Sequence, residues 1–402
     1  VTHFDKRADF VVVGGGIAGL SCARELALGG QDVLVIAERL GGRILQSMTG
    51  ANLGASYMTS DYRELRQFAN RGARIWMKDV AFFDTNGRWT TVFQRRTTKR
   101  IPQLWRLYCD VRRCRVALNE LRRQVKRGAE PREVMHLSPT LRDLVRMPAV
   151  DLVRGRRYEE ITRIYAEPIL HSTLFVELEE VNAFYFLASL FPILLPVWTG
   201  DFEATVERIK APIGRVLEGT VTKIERRGDE YCVEFGDEVA IAKTVVLATP
   251  PGSIPVLPAG IAEEAAPPAR CIPIFSLHLR GRRRPPLPVS KTVFFRPGEV
   301  VTVLWRQSDG SDIAFSHSEF PDLSSLYEEV KILDSIRWAP AIVLSGRDWR
   351  PRQLGENFFA ASDYNLCGLE DSFLAGSSLG RLLAGLGRAN VSGLRARTGT
   401  GS

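Results

Sequence analysis

The sequence predicts an α/β protein, and three stretches carry that prediction. The first, FVVVGGGIAGLSCARELALGGQDVLVIA from Phe10 to Ala37, reads as a buried strand, a glycine turn, a helix and a second buried strand. The second, VLEGTVTKIERRGDEYCVEFGDEVAIAKTVVLAT from Val216 to Thr249, alternates apolar and polar residues about a Gly-Asp turn and ends in an apolar run. That pattern is a strand, a hairpin and a buried strand. The third runs from Gln94 to Gly128, where Leu104, Leu107, Val111, Leu118 and Leu121 recur at helical spacing and arginines fill the other face. The bland expectation for this segment is a solvated helix, with an anionic membrane surface or an acidic substrate as its functional alternatives.

The opening strand, Phe10 to Val13, runs straight into the pattern GxGxxG at Gly14, Gly16 and Gly19, with Ala18 inside it. In this strand-to-helix context the pattern is a dinucleotide fingerprint. Gly14 permits the tight turn, Gly16 lets the backbone approach a pyrophosphate, and Gly19 lets the helix pack close to the strand. The helix Ile17 to Leu28 then presents free N–H groups and a partial positive charge to the phosphates. Gly29-Gly30 ends the helix, and Val33 to Ile36 is the second strand. Glu38, just beyond it, is the acid expected to meet the ribose hydroxyls, and it disfavours a 2′-phosphate. Next, LGGRILQS places Gly41, Gly42 and Arg43 in a second turn beside the same pyrophosphate, with Arg43 as a fixed cation.

Composition sets the outer limits. The 402 residues, 45% hydrophobic and 25% charged, suffice for a large core and about two domains. The net charge of +8 allows a nucleic acid, an anionic surface or an acidic ligand as partner. No zinc finger, aromatic platform or reader motif accompanies the charge, so nucleic acid is not expected. Six cysteines without a CxxC pair and five histidines without a ligand spacing point to no metal site and to a reducing cytoplasm. No secretory signal is expected, because no apolar core precedes the first strand. The uncharged run AFYFLASLFPILLPVW, Ala183 to Trp198, is broken by Pro192 and Pro196 and is too short to span a bilayer. It reads as a buried helix with a loop; the alternatives are the wall of an apolar substrate tunnel and a surface that dips into lipid.

The fingerprint, the acid and the sequence Gly41-Gly42-Arg43 with Ser47 resemble the flavin-containing amine oxidase superfamily, which includes monoamine and polyamine oxidases, protoporphyrinogen oxidases and carotenoid desaturases. The resemblance implies noncovalent FAD on Gly14, Gly16, Ala18, Gly19, Glu38, Arg39, Gly41, Gly42 and Arg43. GANLGASYMTS, Gly50 to Ser60, is similar to the family's turn under the flavin ring and adds Ala55, Ser56 and Tyr57. Val221 would meet the adenine through its backbone. SIRWAPAIVLSG, Ser335 to Gly346, resembles an element that brings Trp338 near the flavin, a core tryptophan being the other reading; Tyr57 and Trp338 are the substrate-facing candidates. GENFFAASDYNLCGLEDSFLAGSSLG resembles the family's closing unit, with a strand over Asn357 to Ala361, Asp363 near the ribityl or pyrophosphate, and Glu370 opening the last helix. Its GSSLG, Gly376 to Gly380, falls inside that helix rather than on a nucleophile elbow.

The order of these segments implies a Rossmann-like FAD-binding domain from residues 1–75, 201–261 and 341–390. It is interleaved with a second, α+β substrate domain from 76–200 and 262–340, and 391–402 form a flexible tail. The implied activity is transfer of a hydride from a bulky, largely apolar small-molecule substrate to flavin N5, with oxygen or a quinone as electron acceptor. No catalytic side chain is named. The lysine of amine-oxidising members is absent from Arg270 to Gly281, and Lys291 lies further on at a poor spacing. A strict amine or amino-acid oxidase remains an alternative, as does an FAD-binding protein without turnover. Peripheral contact with a membrane also stays open.

Overall fold

The computed structural model describes residues 6–47, 50–83, 89–91, 99–250, 252–262, 270–289, 291–363 and 368–385. Residues 391–402, expected as a tail, and the start of the Arg-rich segment, 94–98, lie outside these residues. The chain opens with β1 (Arg7–Val13), α1 (Ile17–Leu28) and β2 (Val33–Ala37), followed by β3 (Met58–Thr59), β4 (Asn70–Ile75), β5 (Val80–Phe83) and β6 (Trp89–Thr90). A helical stretch comes next: α2 (Ile101–Lys126), α3 (Pro131–Leu137), α4 (Pro139–Arg146), α5 (Ala149–Arg156), α6 (Glu159–Ile161), α7 (Glu167–Thr173), α8 (Ala183–Ser189) and α9 (Phe191–Leu194). β7 (Val197–Asp201) and α10 (Phe202–Lys210) lead to β8 (Arg215–Glu218), β9 (Val221–Arg227), β10 (Glu230–Phe235) and β11 (Glu238–Leu247). The remainder is β12 (Arg270–Arg283), β13 (Thr292–Phe294), β14 (Val301–Arg306), β15 (Asp312–Ser316), β16 (Tyr327–Leu344), β17 (Gln353–Gly355), β18 (Phe358–Ala360) and α11 (Leu369–Leu383).

The first sheet has the order β17-β18-β11-β1-β2-β8, with β9 and β10 pairing off β11. Its centre is parallel: β1 runs parallel to both β2 and β11, and β11 to β18. Such strands are covered on both faces, so they read as continuous apolar runs rather than alternating ones. Along β1, Val11 and Val13 pack into the core shared with β9 and β10, while Val12 packs into the core under α1 and α11. All three valines are at most 2% exposed, and each buried side chain contributes about 1.5–3 kcal/mol.

A second sheet, β16-β12-β15-β14-β13-β5-β6, supports the helical stretch, and a small third sheet has the order β3-β7-β4. One core cluster joins the helices to the second sheet through Leu118, Phe184, Ile274, Trp305 and Trp338. The expected solvated helix over the Arg-rich segment is α2, and only one of its faces is solvated. Leu107, Val111, Cys114, Leu118, Leu121 and Val125 form its buried stripe. The run from Ala183 is a buried helix, α8, continued by α9 and the start of β7. Among the described residues no helix is long and apolar enough to cross a membrane.

Candidate functional site

A cavity of about 910 Å³ lies where the parallel sheet, the helical stretch and the second sheet meet. At one end are the C-terminal edges of β1, β2 and β11, and at the other a chamber of apolar side chains. In an open parallel sheet this edge is where ligands bind.

The fingerprint builds the first end. Gly14 has φ +114°, and a Cβ there would come 2.6 Å from Ala248 O, so the turn out of β1 admits only glycine. α1 starts at Gly16 with no side-chain cap and no acid in its first turn, which leaves its amides directed to the cavity. A Cβ on Gly16 would meet no protein atom closer than 4.0 Å, that of Gly42 Cα, so the main chain forms an open cradle. The second glycine turn closes the other side: Gly41 N donates to Gly15 O at 2.8 Å, and Gly41 and Gly42 both have positive φ. Gly19 stands apart from the cavity. Its Cβ position lies 2.0 Å from Gly14 O, so this glycine sets the contact between helix and turn.

Ala18, Glu38, Arg39, Gly41, Gly42, Arg43, Ala55, Ser56, Tyr57, Val221, Trp338, Asp363 and Glu370 all line the same cavity as Gly14 and Gly16. Several are tied to one another. Arg43 Nη1 is 2.8 Å from Asp363 Oδ2 and donates to Ala341 O at 2.8 Å, so the cation is fixed from two sides. Glu38 is exposed and accepts from Thr220 Oγ1 at 2.9 Å. The Arg39 guanidinium sits 4.8 Å from the Trp338 ring centroid. Burial lowers its pKa against the raising effect of Glu38. Trp338 is buried and donates from Nε1 to Leu53 O at 2.9 Å. Tyr57 stacks on Trp305, centroids 5.5 Å apart, and burial pushes its phenol up to about 12, so it stays protonated at neutral pH. Thr249, just beyond β11, lines the cavity with a buried hydroxyl that has no partner among the described residues.

Glu370 stands in the first turn of the last helix, as expected, and its side chain is held by the main chain after β3. Its carboxylate accepts from the backbone amides of Arg63, Glu64 and Leu65 at 2.6, 2.8 and 3.0 Å. Burial raises its pKa, and the three amides oppose that rise. What Glu370 leaves available to the cavity is its main chain at the start of α11.

The sequence reading did not single out Arg122, on the inner face of α2. Its Nε and Nη2 grip Asp371 at 2.6 and 3.0 Å, and Nη1 reaches Asp61 at 2.8 Å. All three residues line the cavity. Burial raises the Asp371 pKa, and Arg122 pulls it back. For Arg122 itself burial lowers the pKa, but Asp371 and Asp61 outweigh it and raise the value overall. Arginine was visible in the sequence only as part of a basic run; its partners sit 249 and 61 positions away.

The chamber is walled by Phe82, Ile169, Phe175, Phe184, Phe191 and Phe315, among others. Among the described residues its lining contains no lysine and no histidine. Lys291 is turned away from the cavity and donates to Lys78 O.

The profile of the family described as flavin containing amine oxidoreductase matches residues 17–323. Three solved structures share the fold. A wild-type putrescine oxidase bound to putrescine has TM-score 0.65 and 17% identity, covering 97% of this chain and 99% of the other. Cyclohexylamine oxidase from Brevibacterium oxydans IH-35A has TM-score 0.66 and 15% identity, covering 96% and 99%. A CLA-producing fatty acid isomerase from P. acnes has TM-score 0.66 and 15% identity, covering 93% and 98%. At these identities the likeness speaks to the fold alone. None of the curated proteins matches significantly.

Proposed function

The chain belongs to the flavin-containing amine oxidoreductase family and is a flavin-dependent oxidoreductase; on that premise we propose that it holds FAD noncovalently and oxidises a bulky, largely apolar small molecule. The single observation that carries this reading is the shape of one cavity: an uncapped helix start and two glycine turns at one end, a charge-poor aromatic chamber at the other.

The residues fit the cofactor. The amides at Gly16 and the turn Gly41-Gly42 would receive the pyrophosphate, with Arg43, anchored by Asp363, as its counter-cation. Glu38 would accept from the adenosine ribose, with Val221 beside the adenine and Ala55, Ser56 and Tyr57 along the ring. Held by these residues, a flavin would supply the hydride acceptor, with oxygen or a quinone as the proposed final oxidant. The protein's part is orientation and exclusion of water. Phe175, Phe184 and Phe315 offer no hydrogen bond to water, so the chamber favours an apolar guest. Of the ionised groups that line the cavity, Asp61, Arg122, Glu370 and Asp371 are already engaged with each other or with amides. No side chain of the chamber is assigned as acid or base. The lysine-free lining speaks against a strict amine oxidase.

This reading places residues 1–75, 201–261 and 341–390 in the FAD-binding part and 76–200 with 262–340 in the substrate part, in a cytoplasmic protein. Mild denaturation of the purified protein should release a yellow ligand with the mass of FAD. Anaerobic mixing with apolar polyenes or tetrapyrrole precursors should bleach the flavin, whereas simple amines leave it oxidised. A colourless protein that takes up no FAD overturns the cofactor assignment, and bleaching by amines alone overturns the substrate assignment.

A further inference from the structure

One margin at which the cavity meets water is the end of the third sheet. Ile75 of β4 pairs with Val197 of β7, and both line the cavity. The next residue, Trp76, lines it too while remaining 47% exposed, which marks the rim.

On the outer side of this rim the two strands carry a ladder of guanidinium and indole groups. The Arg71 guanidinium lies 4.3 Å from the Trp198 ring centroid, and that of Arg74 lies 3.7 Å from Trp76 and 6.0 Å from Trp198. Stacking on a ring fixes a guanidinium and leaves its N–H edge open. Among the described residues no carboxylate is paired with Arg71 or Arg74. Between positions 70 and 80 the chain has Arg71, Arg74 and Lys78 against Asp79 alone. Strand β4 is exposed from Asn70 to Arg74, so the cations face water rather than a packed neighbour.

We propose that this rim is a subsite for the anionic head of an amphiphilic substrate, a carboxylate at the end of an apolar body, with Arg71 and Arg74 as its donors and Trp76 as the wall it passes. The inference rests on reading the apolar chamber as the substrate site. It follows from where charge can be satisfied. Inside, Asp61, Arg122, Glu370 and Asp371 already satisfy one another or main-chain amides, so a carboxylate drawn among them would displace an existing partner and lose its hydration. At Trp76 it keeps water on one side and meets two oriented guanidinium groups on the other, while the apolar body fills the space behind Ile75 and Val197. The head group thereby sets the depth at which the body sits.

The test uses flavin-loaded protein and two inert probes, a saturated long-chain carboxylic acid below its micellar concentration and the alcohol of the same chain length. Binding is read near neutral pH from the perturbed flavin absorbance and, independently, from tryptophan fluorescence. The acid should bind roughly tenfold more tightly than the alcohol. The double variant Arg71→Ala/Arg74→Ala should reduce that preference to about twofold or less without changing alcohol binding or the flavin content. Arg71→Lys/Arg74→Lys, which keeps the charge, should retain part of it. Equal binding of the two probes, or a preference that survives removal of both arginines, overturns the proposal. So does a double variant that loses binding only to anionic phosphatidylglycerol vesicles, which would make the ladder a lipid-surface contact. Flavin content reports on the FAD reading separately: a colourless protein whose fluorescence still prefers the acid sinks that reading and leaves this one standing.

Discussion

At the scale of single residues, the site separates glycines that shape the backbone from one that shapes a ligand space. Gly14 has no freedom to change, whereas a Cβ on Gly16 would extend into the cradle and touch no protein atom closer than 4.0 Å. Gly16→Ala should therefore leave the thermal midpoint of the apoprotein unchanged and weaken FAD uptake by at least about tenfold, measured by flavin titration. His171 makes a different kind of prediction. Burial lowers its pKa to about 4, and the neighbouring His317, 5.3 Å away, adds to the effect. The unfolded chain then binds the proton more readily, so stability is complete above the ordinary histidine value of about 6.5 and falls as the pH drops toward 4. The loss is on the order of 2–3 kcal/mol, and in His171→Gln the denaturation midpoint should decline less over that interval. The fingerprint glycines were legible because their spacing is local and each position has one physical task. Arg122 was not, because nothing within its helix distinguishes it from the solvated arginines beside it.

At the scale of elements, β1, α1 and β2 fall where the periodicity put them, and the hairpin β9–β10 with β11 does too. Near the C-terminus the expected strand over Asn357 to Ala361 is shorter, Phe358–Ala360, because Asn357 takes a positive φ and turns the chain into it. The GSSLG of α11, unused as a nucleophile elbow, has a packing role that spacing alone did not disclose. A Cβ on Gly376 would lie 1.9 Å from Ala18 O, and one on Gly380 would lie 2.5 Å from Cys22 O. The two helices whose starts face the cavity are thus held backbone to backbone. Gly376→Ala should force them apart, cost about 1–3 kcal/mol or more in chemical denaturation, and speed flavin release. α2 shows why the Arg-rich segment resisted reading: its stripe from Leu107 to Val125 is core, yet the same helix carries a half-buried, fully paired cation one turn from exposed ones.

For the whole molecule, Arg122 is the clasp between parts. It reaches from the helical stretch to Asp371 at the start of α11 and to Asp61 beyond β3. Arg122→Met would leave the buried Asp371 and the half-buried Asp61 without their cation and should cost about 3 kcal/mol or more in urea denaturation. Replacing Asp61 and Asp371 by leucine in the same variant should recover most of that loss, since apolar side chains of similar volume often substitute for a buried ionic group. The order of the sheet has a consequence for how the chain reaches this state. β11 lies between β1 and β18, so residues 241–247 pair with 7–13 on one side and 245–247 with 358–360 on the other. As the polypeptide leaves the ribosome, the apolar edge of Val245 and Leu247 must wait for more than a hundred further residues before its neighbour is made. Such distant pairing slows assembly and leaves a sticky seam on the nascent chain, which is where a chaperone would be needed during synthesis.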